Sequence, residues 1–115
     1  IHRGTANGVT VMELVKRAGV ESVTGTNSVL GGLAAAGFKI FPPNTPPGSP
    51  PEDRRYNGGF TVRTYGSHQS GGVDAVQMEF GSNLRRDEPT RNRLAESLAR
   101  SIMVSGRRYL DWPRN

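Results

Sequence analysis

The sequence predicts an α/β fold: a small two- or three-layer arrangement in which a sheet of three or four strands is flanked by helices. Three observations carry that reading. Apolar residues alternate with polar ones through two short stretches, Phe60–Tyr65 and Val73–Phe80, as they do along a half-buried strand. Two stretches near the start and one at the end show helical spacing with start signals. The order helix, helix, short strand, loop, strand, strand, helix suits layered packing.

The elements follow in chain order. In "VTVMEL", Thr10 and Glu13 have the spacing of a capping box, and Val9 and Leu14 that of a hydrophobic staple. The first helix should run to about Ala18, with Gly19 as its left-handed stop. "TNSVLGGLAAAGF" predicts a second, weaker helix. Thr26 or Ser28 caps it, Gly37 ends it, and Leu30, Leu33 and Ala34 face inward. Gly31 and Gly32 each cost about 1 kcal/mol there, which close packing against another backbone would offset. "FKIF" reads as a short buried strand.

Residues 42–57 carry six prolines within ten positions. They exclude regular helix and inner strand and predict an extended, semi-rigid surface loop. In the strand Phe60–Tyr65, Thr61, Arg63 and Tyr65 share one face; in Val73–Phe80, Val76, Met78 and Phe80 share another. The last helix should begin near Pro89, with Asp87 and Glu88 at its positive end. Leu94, Leu98 and Ile102 form its core stripe, supported by Ala95, Ala99 and Met103. Gly106 should stop it, and Tyr109, Leu110 and Trp112 should pack beyond it. A sheet this narrow leaves two open edges, so self-association is expected.

Bulk properties bound the function. At 115 residues the chain is read as one domain. Its net charge is +5, built from thirteen arginines and two lysines. Arginine's planar fork favours carboxylate and phosphate partners. The arginines are spread along the chain in short doublets and make no aromatic-basic platform, so a nucleic-acid interface ranks below other anion-binding readings. The absence of cysteine excludes disulfides and thiolate metal sites. No apolar run approaches the ~20 residues that cross a bilayer. The chain begins with Ile1 and carries no secretory signal, so a processed product or a piece of a longer protein is expected.

Four residues stand out chemically. Glu79 lies near the C-terminal end of a predicted strand, where open α/β sheets place ligand and catalytic groups. A desolvated carboxylate there would serve as a general base; from the pattern alone, a structural ion pair with an arginine is the simpler account. Arg63 would hold a substrate carboxylate with two parallel bonds, or pair with Glu79. Tyr65 shares Arg63's face, and Gln77 shares that of Glu79. His68, in a Gly/Ser-rich turn, and His2 lack partners at metal-ligand spacing, so this chain is expected to hold no metal by itself.

The stretches "RGTANGVTV" and "NGGFTVRTYGSHQSGGVDAVQMEF", followed by the closing helix, resemble the C-terminal part of the N-formylglutamate amidohydrolase family. The shared pattern is two glycines, an aromatic residue, an arginine, a second aromatic and a glycine, then a strand ending Gln-x-Glu: Gly58, Gly59, Phe60, Arg63, Tyr65, Gly66, Gln77 and Glu79. The resemblance implies a partial phosphorylase/hydrolase-like fold of metallocarboxypeptidase-like architecture. It implies zinc-dependent cleavage of the amide of N-acyl amino acids, with Glu79 as general base. Arg63, Tyr65 and Gln77 would lie in the pocket for an anionic small-molecule substrate. It also implies that the zinc ligands lie upstream of this chain, which would be inactive without them. The alternative from charge alone is a small basic secreted protein, cytotoxic or antimicrobial, that binds anionic surfaces.

Overall fold

The computed structural model describes residues 10–41 and 58–113. The expected proline-rich loop 42–57, Val9 of the staple and His2 lie outside them. More than half of the described residues are helical, and among them there is no strand and no sheet. The α/β expectation is therefore corrected to an α-helical architecture. Six helices are described: α1 (Met12–Ala18), α2 (Glu21–Thr24), α3 (Val29–Ala35), α4 (Phe60–Tyr65), α5 (Ser82–Arg86) and α6 (Glu88–Tyr109). The chain divides into two compact units, Ile1–Val20 with Phe41–Gln77, and Glu21–Ile40 with Met78–Asn115.

In the first unit, α1 ends at Gly19, whose φ of 73° suits glycine. Its start differs from the capping box. Thr10 Oγ1 donates to the Ala75 carbonyl at 2.7 Å, and the Glu13 N–H donates to Ser67 Oγ (3.2 Å) and Asp74 Oδ1 (3.1 Å). The helix start is thus satisfied by side chains more than fifty residues away. The Glu13 carboxylate pairs with Lys16 at 2.7 Å instead.

Phe60–Tyr65 forms the helix α4, not a strand. Gly58 takes a φ of 82°, and a Cβ there would collide with Val62 Cγ2. Val73–Phe80 is neither helix nor strand and joins no ladder. Its one bridge, Gly66 to Val73, is isolated, and its polar groups go to separate partners: Val73 N–H to Tyr65 O (2.8 Å) and Ala75 N–H to Thr10 O (3.0 Å). The predicted faces fail accordingly. Val73 and Val76 are 64% and 62% exposed. The open sheet edges behind the expected self-association are not present among the described residues.

The second unit carries the larger core. Leu33 and Phe38 meet Leu94 of α6, with Ile40, Met78, Phe80, Leu84 and Leu98 packed around them. Each such buried side chain contributes roughly 1.5–3 kcal/mol. Ser28 caps α3, its Oγ accepting the Gly31 N–H at 3.0 Å. The C-terminus of α3 closes as a Schellman motif: Gly37 at φ 84°, Phe38 N–H to Leu33 O, and Gly37 N–H to Ala34 O. The paired hydrophobic contact of that motif is Leu33 with Phe38. "FKIF" is therefore the end of a helix cap rather than a strand. Arg93 of α6 lies over the Phe38 ring, 4.3 Å from its centroid, and donates to Ala36 O at 3.2 Å.

Helix α6 begins at Asp87, whose carboxylate accepts the Thr90 N–H at 2.9 Å. Its inward stripe is Leu94, Leu98, Ser101 and Ser105, not Leu94, Leu98 and Ile102; Ile102 and Met103 are exposed. The small serines let α3 approach closely: a Cβ on Gly32 would collide with Ser101 Oγ. Gly106 does not stop α6. It lies under the Trp112 indole, which occupies the place of a side chain there. No helix among the described residues is long and apolar enough to cross a membrane.

Two outcomes follow. Gly32→Leu should lose about 1–3 kcal/mol in urea unfolding through overpacking against Ser101. Unchanged stability would contradict the close approach. Hydrogen bonds from the Thr90 side chain and backbone, with Arg91 nearby, hold the Asp87 carboxyl below 3.8. The cap therefore stabilises α6 above that value and fades as pH falls through the lowered one. Acid titration followed by circular dichroism should show a loss of helix in this range. Asp87→Asn, which caps without titrating, should lack that part of the loss.

Candidate functional site

The residues singled out in the sequence distribute over both units. Arg63, Tyr65 and Gln77 fall in the first and Glu79 in the second. The geometry below is that of the first unit.

Two glycines open α4 for different reasons. Gly58 supplies the positive φ. Gly59, the N-cap, supplies room: its N–H donates to Gln77 Oε1 at 2.7 Å, and a Cβ would collide with that oxygen. Gln77 thus reaches back over eighteen positions to the residue that starts the helix. The Gly-Gly-aromatic segment and the Gln-x-Glu segment, separate in sequence, meet at this bond.

Arg63 sits in the last turn of α4. Its backbone N–H closes the helix onto Gly59 O at 3.1 Å, and its carbonyl accepts from Gln69 Nε2 at 3.2 Å. Its side chain is exposed, and its guanidinium makes no ion pair among the described residues. Tyr65 is 60% exposed, and its carbonyl accepts the Val73 N–H. A helix corrects the expected pairing of these two. Two residues along a strand face the same way, but two residues along a helix lie about 200° apart. Arg63 and Tyr65 therefore point in different directions from α4. The cation remains as the group that can take a carboxylate or phosphate in a forked contact.

The loop from Gly66 to Val73 folds tightly beside α4. A Cβ on Gly72 would collide with the Gly66 carbonyl oxygen, and one on Gly66 with Val62 O. The loop places Ser67, whose hydroxyl donates to Asp74 Oδ1, at the start of α1. Sequence reasoning missed this Ser67–Asp74 network; only the unusual glycine density of the loop hinted that backbones meet there. His68 is half-buried. Its Nδ1 is enclosed without a hydrogen-bond partner among the described residues, and its Nε2 lies 3.3 Å from Gln69 Nε2.

Glu79 is exposed, so the desolvated setting expected for it is not found. The zinc implied by the resemblance was tested against the donor set. Among the described residues, no three His, Asp or Glu side chains converge as a metal ligand group. The described residues therefore do not fit the ion. No family model matches the chain, and no curated protein or solved structure matches it.

Proposed function

We propose that the protein is an N-formylglutamate amidohydrolase-like chain that binds N-acyl amino acids, with Arg63 receiving the substrate carboxylate. The observation that carries this reading is the 2.7 Å bond from the Gly59 N–H to Gln77 Oε1. It joins the two sequence segments on which the resemblance rests and anchors the start of the helix that presents Arg63. Gln77 acts here by positioning α4. Tyr65, directed away from Arg63 on the helix, is not assigned to the same contact.

The reaction belonging to this reading adds water to the acyl carbon of the amide. The C–N bond breaks, and the amine leaves with a proton. Glu79 is the proton acceptor on the resemblance alone. The described residues do not assemble metal ligands, so binding is the part of the activity assigned to them.

Titration calorimetry with N-formylglutamate tests the proposal. Binding should weaken about tenfold or more in Arg63→Gln, as expected when a charge-assisted contact worth about 1.5–3 kcal/mol is lost. Arg91→Gln, whose guanidinium donates to the Arg85 carbonyl, should bind normally. Equal binding by both variants, or no binding by the unaltered chain, would overturn it.

A further inference from the structure

The second unit contains a groove that the proposed function does not use. A cavity of about 430 Å³ lies between the Thr26–Ser28 turn with α3 and α6. A second cavity of about 280 Å³ adjoins it, sharing Asn27 and Val104. Arg100 lines the first, and Arg107 and Arg108 line the second.

The charge along this groove is uneven. Arg100, Arg107 and Arg108 are exposed, and none forms an ion pair among the described residues. Glu96 is the single acidic residue lining either cavity, which leaves a surplus of two positive charges. Other polar groups nearby are already engaged: the Ser101 hydroxyl donates to Ser97 O at 2.8 Å, and Ser28 Oγ caps α3. The donors left for a ligand are the three guanidinium groups, the Asn27 amide and the Thr26 and Ser97 hydroxyls. By contrast, Arg93 on the same helix is committed to Phe38 and Ala36.

Spacing narrows the ligand. Arg100 and Arg107 are seven residues apart, two helical turns, and so lie on one side of α6 about 10 Å from each other. Anionic charges spaced along the helix would let each guanidinium make its own forked contact. We infer that the Asn27–Arg100–Arg107–Arg108 groove binds a phosphate-bearing ligand whose negative charges spread over about 10 Å. Forked guanidinium contacts suit phosphate oxygens. The source is a free polyphosphorylated molecule or the headgroups of an anionic lipid surface, which share this chemistry.

Calorimetry of the full chain with inorganic tripolyphosphate, and co-sedimentation with phosphatidylglycerol vesicles, test the inference. At least one probe should bind, more weakly at raised salt. The double variant Arg100→Gln/Arg107→Gln should weaken that binding about tenfold or more while keeping its circular dichroism. Arg91→Gln, outside the groove, should bind as the unaltered chain does. Tripolyphosphate binding assigns the groove to a free ligand, and vesicle binding alone assigns it to headgroups. Equal weakening by Arg91→Gln would reveal diffuse charge rather than a site and would overturn the inference. So would binding retained in the double variant, or no binding to either probe.

Discussion

Ala75 gives its carbonyl to the Thr10 hydroxyl and takes the Thr10 carbonyl with its own N–H. This two-way exchange, together with the bond from Gly59 to Gln77, fixes the segment Ala75–Gln77. Backbone polar groups removed from water must find partners, and here they find them singly. Tyr65, Thr10 and Gly59 each receive one part of the segment. Among the described residues no strand pairs with it, so the segment is held without a sheet. The same contacts set the start of α1 and the start of α4, which is why the first unit hangs on them.

Helices with strong local signals were legible. Ser28, Gly37 and Asp87 act where their chemistry predicts, and Gly19 ends α1. Phe60–Tyr65 was not legible. Over six residues, alternation of apolar and polar side chains cannot separate a strand from a short helix. The deciding contact comes from Gln77, outside any local window. Only Val62 of that helix is buried, so no helical stripe was available to read. In α6 the misreading was of a different kind. Ile102 looked like core by hydrophobicity, yet Ser101 and Ser105 face inward because Gly32 permits an approach that larger side chains would block.

The charges raised by the sequence find two explanations. Arg63, expected on a strand, is an exposed residue in the last turn of a helix, where a cation also suits the helix dipole. The arginines of α6 divide by partner. Arg93 stacks on Phe38 and closes the end of α3, whereas Arg100, Arg107 and Arg108 line a groove in which Glu96 is the single acidic residue. Net charge alone could announce an affinity for anions but not its place. Likewise, the glycines around Gly66 and Gly72 signalled tight turns without showing that they bring Ser67 and Asp74 to the start of α1.

The central claim is that Val73–Gln77 is tied to Thr10 and Gly59 while Phe60–Tyr65 is helical. Backbone chemical shifts and amide-proton contacts of the full chain, measured by nuclear magnetic resonance, test it most directly. The account predicts helical Cα shifts for Phe60–Tyr65, with the Gly59 amide proton close to the Gln77 side chain. Strand-like shifts with cross-strand contacts between Phe60–Tyr65 and Val73–Phe80 would contradict it.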